Sequence, residues 1–136
     1  MYRHDIQIRV RYADTDQMGY VYYGNYAAYY EAARVESLRA LGLTYRELEA
    51  DGVMMPVLEN TSRFKAPALY DELLTVRTII KEKPMVRIRF DYEIYNEADK
   101  LIHTGETLLA FVKMDTGRPC RMPGQMEELL KPFFKK

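Results

Sequence analysis

Apolar and polar side chains alternate strictly over several segments of the chain. The first segment covers residues 6–12, with the sequence IQIRVRY, and the same period of two returns over residues 74–81 and 86–94. Residues 101–114 are predicted as a further strand, whose end at residues 108–112 is apolar on both faces, as expected for a strand covered on both sides. A period of two puts every second side chain on one face, so these segments predict β-strands with a buried face. Lys83-Pro84 separates the second and third segments and predicts a hairpin. Residues 53–65 are also predicted to be extended, with Pro56 at an edge or a bulge.

The spacing of apolar residues changes to a helical period over residues 26–41. One face of this predicted helix carries Tyr26, Tyr30, Ala33, Ser37 and Leu41, and Gly42 is a suitable residue to end it. The first half has almost no polar side chains, which predicts burial on most sides. Its charged residues are predicted to pair three positions apart, Glu31 with Arg34 and Glu36 with Arg39.

Two shorter helices complete the predicted elements. The first covers residues 44–50, with Thr44 as the N-cap and Glu47 completing a capping box, and the second covers residues 123–130. The order is one strand, a long helix, a short helix and then mostly strands, which predicts a single α+β domain over residues 1–136. We expect the long helix to lie across a curved antiparallel sheet. Such a sheet keeps an open edge, so self-association is also predicted.

Composition excludes several classes of protein. The chain has 20 basic and 20 acidic residues, and this neutral balance argues against a dedicated nucleic-acid binder. No apolar run approaches the length of a membrane span and the first residues lack a signal core, so a cytoplasmic protein is expected. Cys120 is the single cysteine and no Cys/His cluster has zinc spacing, so we expect neither a disulfide nor a metal site.

Candidate chemistry is concentrated in residues 14–24, DTDQMGYVYYG, between the first strand and the long helix. If the segment is extended, Asp14 and Asp16 point the same way, and their like charges raise one pKa. The alternative is turn chemistry, since Asp and Gly are common in loops. Gly19 permits a ligand to approach the backbone closely, and the unpaired N–H groups of the first helical turn can hold an oxyanion. His4 and His103 are interpreted as structural residues.

The segment Tyr12 to Tyr26, continuing to Tyr30-Glu31-Ala32-Ala33-Arg34, resembles the signature of the hotdog-fold acyl-CoA thioesterases. The most similar subgroup is the 4-hydroxybenzoyl-CoA thioesterase type, which includes the YbgC-like enzymes. Residues 64–74, FKAPALYDELL, and the strand from Gly105 to Phe111 resemble the same family. The chain departs from some members at the helix start, where Tyr23 replaces a histidine and Gly24 replaces a proline.

The resemblance implies a hotdog fold with a long central helix, a sheet of about five strands, and sites at the interface of a homodimer or homotetramer. Asp16 corresponds to the catalytic carboxylate, acting as nucleophile or general base, and the backbone N–H near Tyr23 polarises the thioester carbonyl. Gly19, Val21 and Tyr22 are then predicted to bind substrate. The candidate contacts for the CoA phosphates are basic residues: Arg63, Lys65, Lys83, Arg87 and Arg89. No cofactor is implied beyond the CoA of the substrate.

Two alternatives remain open at this point. A hotdog dehydratase or hydratase acts on similar thioesters, but that chemistry usually needs a histidine paired with a carboxylate. The second alternative is a non-catalytic protein of the same fold that binds an acyl thioester without hydrolysing it. The sequence also leaves open whether the thioester is carried by CoA or by an acyl carrier protein.

Overall fold

The computed structural model describes residues 1–135. Its regular elements in chain order are β1 (Tyr2–Arg9), α1 (Tyr26–Leu41), α2 (Tyr45–Ala50), β2 (Val53–Met54), β3 (Val57–Phe64), β4 (Leu73–Ile80), β5 (Arg87–Tyr95), β6 (Leu101–Ala110), β7 (Val112–Lys113) and α3 (Gly124–Leu130). A single 3₁₀ turn, Tyr23–Asn25, leads directly into α1. The predicted α+β class is confirmed.

Five strands form one antiparallel sheet in the order β1-β4-β5-β6-β3, and β2 pairs separately with β7. Every second residue of β4 and β5 faces α1 and is buried, as in Val76 and Phe90. The opposite face of the sheet, which we call the outer face, carries charged side chains such as Arg77 and Glu93. The alternation in the sequence therefore predicted the strands and their buried faces.

α1 lies against the inner face of the sheet and has the predicted bounds. The ring of Tyr30 stacks on that of Tyr92 in β5, with centroids 4.2 Å apart and planes within 1° of parallel. The Tyr2 hydroxyl of β1 donates to the Ser37 carbonyl at 2.6 Å. Gly42 ends the helix with a positive φ of 100°, a conformation that glycine adopts without strain. Because the Tyr30 ring packs on the sheet, the first half of α1 is held in a fixed place.

Several local predictions about the helices can be compared with the structure. The Thr44 side chain accepts from the Glu47 N–H at 3.1 Å, which confirms the N-cap, and Glu36 pairs with Arg39 at 3.3 Å as predicted. The predicted Glu31–Arg34 pair is wrong, because Arg34 is buried and donates to the Tyr92 hydroxyl at 3.0 Å. The predicted burial of α1 on most sides is also wrong for the single chain, where a small-residue face stays exposed: Ala27, Ala28 and Ala32.

The predicted strands at the two ends of the sheet are shorter than expected. β1 ends at Arg9, and Tyr12 is 79% exposed in a 3₁₀ turn rather than on the buried face of a strand. Pro56 divides the extended segment at residues 53–65 into β2 and β3, since a proline cannot donate to a ladder. The third predicted strand of the C-terminal half likewise divides at Phe111 into β6 and β7.

Candidate active site

The segment at residues 15–21 folds back on itself to form a tight loop. Thr15 and Val21 face each other across an antiparallel bridge, and the Asp16 N–H donates to the Tyr20 carbonyl at 3.1 Å. Gly19 turns the chain with a φ of 84°, where a residue with a Cβ would be strained. The Asp16 carboxylate accepts one hydrogen bond, from the Met18 N–H at 2.8 Å. Asp16 is exposed, so its other oxygen is available to a ligand.

Asp14 has a different environment from Asp16. Its carboxylate is buried and accepts from the Arg11 N–H at 3.0 Å, the Tyr29 hydroxyl at 3.0 Å and the Arg11 guanidinium at 3.3 Å. Burial alone would raise the pKa of Asp14, but these hydrogen bonds and the charge of Arg11 outweigh it and lower the pKa. The sequence predicted that like charges would raise the pKa of one of the two aspartates, but the pKa of Asp14 is lowered. Its carboxylate is engaged in holding the loop.

The entry to α1 leaves the Tyr23 N–H without a hydrogen-bond partner among residues 1–135. The Val21 N–H donates to the Ala68 carbonyl and the Tyr22 N–H to the Asp14 carbonyl, both at 2.9 Å. The Asn25 side chain also donates to the Asp14 carbonyl, at 2.8 Å. Within residues 1–135, none of the hydrogen bonds uses the N–H of Tyr23. This N–H belongs to the first turn of a helical segment, where the dipole favours negative charge.

Asp16 and Tyr23 both line a cavity of about 450 Å³. Most of its walls are aromatic or apolar, and one side chain is basic. Its lining residues are Asp16, Tyr20, Val21, Tyr23, Tyr26, Phe64, Lys65, Ala66 and Pro67. The end of β3 and the connection that follows it thus face the loop and the helix start. A carboxylate beside a free amide donor is the combination needed for attack on a carbonyl carbon.

Only some of the predicted site residues lie at this cavity. Asp16, Val21, Tyr23 and Lys65 line it, whereas Gly19 shapes the loop. The ring of Tyr22 packs against that of Tyr23, with centroids 4.6 Å apart, and is 43% exposed.

The remaining basic candidates lie elsewhere in the single chain. Arg63, Arg87 and Arg89 lie on the outer face of the sheet, where Arg63 borders a separate cavity of about 230 Å³. Arg89 forms an ion pair with Glu106 at 3.1 Å. Lys83 pairs with Glu127 at 3.0 Å. The structure therefore brings one of the five basic candidates, Lys65, to the cavity that contains Asp16.

In the wall segment that follows β3 and includes its last residue, sequence reasoning missed Phe64, Ala66 and Pro67. These residues belong to the segment at 64–74 that resembles the thioesterase family. That resemblance could have indicated their position at the site, but only Lys65 of the segment was assigned a role. The interpretation of His103 as a structural residue agrees with its complete burial. Burial lowers the pKa of His103 to about 4, and His103 does not line the cavity.

Comparison with known proteins places the chain in a family. A family model described as "Thioesterase-like superfamily" matches residues 10–133. This chain belongs to the thioesterase-like superfamily. The expected hotdog fold and the expected enzyme class, a thioester hydrolase, are both confirmed.

Individual relatives agree with this assignment. "Putative acyl-CoA thioesterase YneP" of Bacillus subtilis (strain 168) is 39% identical over 70% of this chain and 69% of its own length. "Acyl-CoA thioester hydrolase YbgC" of Escherichia coli O6:H1 is 34% identical over 85% of this chain and 87% of its own. The solved structure of a DHNA-CoA thioesterase from Staphylococcus aureus superposes with a TM-score of 0.92 at 34% identity, over 98% of this chain and 91% of that one.

Among residues 1–135, no helix combines the length and apolar character needed to cross a membrane. No group of three or more His, Cys, Asp or Glu side chains in the same part of the chain could hold a metal ion.

Proposed function

We propose that this superfamily member is an acyl-CoA thioesterase that hydrolyses its substrate to a free acid and CoA with Asp16 and the Tyr23 N–H. The observation that supports the proposal is that the Asp16 carboxylate and the residue bearing an unpaired N–H line one cavity. Names of relatives such as YneP and YbgC support the acyl-CoA substrate.

The reaction follows from these two groups. In one route, an Asp16 oxygen attacks the thioester carbonyl carbon, and the C–S bond breaks to release the CoA thiolate, which takes a proton from water. Water then hydrolyses the resulting mixed anhydride and regenerates the carboxylate. In the other route, Asp16 takes a proton from a water molecule that attacks the carbonyl carbon directly. The C–S bond then breaks, and the departing CoA thiolate takes up that proton, which regenerates the Asp16 carboxylate. In both, the Tyr23 N–H donates to the oxyanion that develops on the carbonyl oxygen.

The apolar walls of the cavity and its basic side chain would bind different parts of the substrate. The aromatic rings of the cavity provide an apolar surface for the acyl group, beside the backbone of Gly19, Val21 and Tyr22. Lys65 can pair with a phosphate of CoA or of an acyl carrier protein. Contacts of Arg63, Arg87 and Arg89 with the phosphates stay predictions. Hydrolysis by this route uses no metal and no cofactor beyond the substrate's own CoA, and a cytoplasmic location stays a prediction as well.

We propose that the enzyme acts as a homodimer or homotetramer, with β3 edges of two chains side by side. β3 is an edge strand that is exposed along nearly its whole length, including Val57 at 52% and Leu58 at 47%. Asp16 and Tyr23 are also exposed in the single chain. A carboxylate and an amide stabilise a developing charge best when water is excluded, so a second chain covering the cavity fits this chemistry.

A thiol-release screen tests the proposed function. Purified protein is assayed with short, long, branched and aromatic acyl-CoAs and with acyl carrier protein thioesters, while enoyl-CoA hydration is measured in parallel. We expect thiol release and no hydration, because neither histidine lines the cavity. Hydration without thiol release would favour the dehydratase alternative, and tight binding without either reaction would favour a non-catalytic role. Light scattering of the same sample gives the oligomeric state.

A further inference from the structure

A buried histidine supports the aromatic wall of the cavity from behind. The imidazole ring of His103 on β6 stacks on Tyr26, with centroids 4.0 Å apart and planes within 5° of parallel. The ring of Phe64 meets the same imidazole edge-on at 4.9 Å and meets Tyr26 at 5.5 Å. Both Tyr26 and Phe64 line the cavity, whereas His103 itself has no exposed surface. Three rings from α1, β3 and β6 therefore form one packed unit, with His103 on its inner side.

A polar contact fixes the orientation of the imidazole. Its Nε2 is hydrogen-bonded to the Tyr30 hydroxyl, which in turn shares a hydrogen bond of 2.6 Å with Ser62 Oγ. Gly105 makes this contact possible, because a Cβ built at that position would overlap the Tyr30 hydroxyl. When Tyr30 donates to Nε2, the remaining proton of a neutral imidazole lies on Nδ1. The ring can then neither tilt nor flip without breaking the Tyr30 contact.

A phenylalanine at position 103 would stack on Tyr26 equally well, so stacking alone does not explain why this residue is a histidine. Nδ1 of His103 is buried and has no partner within residues 1–135, and such an unsatisfied group is unfavourable. No carboxylate lies among its partners, so the imidazole stays neutral at ordinary pH, consistent with a pKa lowered to about 4 by burial. What the imidazole has and a phenyl lacks is the Nε2 contact that fixes its plane.

We propose that His103 is a positioning residue that sets the acyl-group selectivity of the cavity by holding Tyr26 and Phe64 in place. The proposal rests on the proposed function, because it assumes that the cavity receives the acyl group. His103 touches no reacting atom, so Asp16 and the Tyr23 N–H keep their places when it changes. Bulky or aromatic acyl groups that press on the wall depend on His103, whereas an acetyl group depends on it little.

The experiment compares His103→Asn, which removes the ring, with His103→Phe, which keeps a ring for stacking. Binding of two non-hydrolysable thioethers, S-ethyl-CoA and S-benzyl-CoA, is measured by calorimetry, and kcat and KM are measured for acetyl-CoA and benzoyl-CoA. For His103→Asn we expect the benzyl-to-ethyl affinity ratio to fall roughly threefold to tenfold, as for the loss of an aromatic contact. We expect KM for benzoyl-CoA to rise while kcat for acetyl-CoA changes less than about threefold. His103→Phe keeps the stacking but loses the Nε2 contact, so it should restore the ratio only in part, to about half of the wild-type value, as expected for Tyr30→Phe.

A control separates selectivity from stability. Ile80→Ala removes most of a fully buried apolar side chain from β4, two strands away from β6 on the same face of the sheet. It should lower Tm without changing the benzyl-to-ethyl ratio. If His103→Asn does not fold, Tyr30→Phe, which removes the hydroxyl that fixes the imidazole, must lower the same ratio about twofold.

The results distinguish this proposal from the proposed function. An unchanged ratio in the folded His103→Asn or, failing that, Tyr30→Phe variant would overturn the role of His103, whatever the turnover. Absence of thiol release by the wild-type protein would count against the proposed function, while the thioether ratio would still report on His103. If the wild-type protein binds neither thioether, the cavity is not an acyl-thioester site and both proposals fail.

Discussion

Replacing Asp14 should damage the stability of the protein far more than an ordinary loop substitution. The Asp14→Ala change removes the acceptor of three hydrogen bonds, at 3.0, 3.0 and 3.3 Å. The Arg11 donors are exposed and can turn to water, so their loss costs about 1 kcal/mol together. The Tyr29 hydroxyl is buried and loses its acceptor, which costs about 1–3 kcal/mol. We therefore expect a total loss of about 2–4 kcal/mol.

The assay is urea unfolding at pH 7, followed by circular dichroism, in a double-mutant cycle with Tyr29→Phe. Removing the Tyr29 hydroxyl alone should cost about 1 kcal/mol, and in its absence Asp14→Ala should cost at least about 1 kcal/mol less than in the wild type. This coupling isolates the buried hydrogen bond from the exposed Arg11 contacts. Costs that add within about 0.3 kcal/mol would refute the reasoning, because they would mean that the two side chains do not interact.

The contribution of Asp14 to the free energy of unfolding should also depend on pH. The pKa of Asp14 is lower in the folded protein than in the unfolded chain, so the folded state favours the ionised carboxylate. The stabilisation from Asp14 is complete above the unfolded pKa of about 4 and is lost as pH falls through the folded pKa. The difference in unfolding free energy between wild type and Asp14→Ala should therefore be constant from about pH 5.5 to 8 and shrink below about pH 4. A difference that grows on acidification would contradict the lowered pKa.

Two further predictions concern packing and substrate charge. Gly105→Ala should lower the free energy of unfolding by at least about 2 kcal/mol, because the added Cβ would overlap the Tyr30 hydroxyl and lie 2.9 Å from the Thr61 carbonyl oxygen. Thermal unfolding measures this loss against the control Gly124→Ala, where a Cβ meets nothing within 4 Å and Tm should change little. Lys65→Ala should raise KM for acyl-CoA about fivefold with kcat nearly unchanged, because Lys65 lines the cavity. Lys100 is exposed and does not line the cavity, so Lys100→Ala should leave KM within about twofold of wild type. Equal effects of the two variants would show that only net charge matters.

Periodicity predicted the secondary structure well where local spacing decides the outcome. The bounds of α1 follow from its apolar spacing and from Gly42, and β4 and β5 follow from strict alternation. The alternation in β5 also predicts where two of the basic candidates lie. Arg87 and Arg89 alternate with the buried Ile88, so they must share the opposite face of the sheet. That pattern alone placed both arginines away from the inner face of the sheet.

Interactions between distant segments were beyond the reach of the same reasoning. Arg34 was assigned to Glu31 by spacing, but its partner Tyr92 lies 58 residues away and is brought near only by the fold. The two aspartates could not be distinguished by position, because the backbone leaves the strand conformation between Arg9 and Thr15. The hydrogen bond from Tyr29, 15 residues away, gave Asp14 a buried partner, while Asp16 stayed at the cavity.

The most direct test of the account is turnover by Asp16→Asn compared with Asp71→Asn. Both variants replace an exposed aspartate by its neutral isostere, and Asp71 has a positive φ of 69°, which asparagine tolerates. With the best acyl-CoA of the screen, we predict that Asp16→Asn lowers kcat at least about a hundredfold with little change in Tm, while Asp71→Asn stays within about twofold of wild type. Near-normal turnover by Asp16→Asn would contradict the assignment of hydrolysis to this carboxylate.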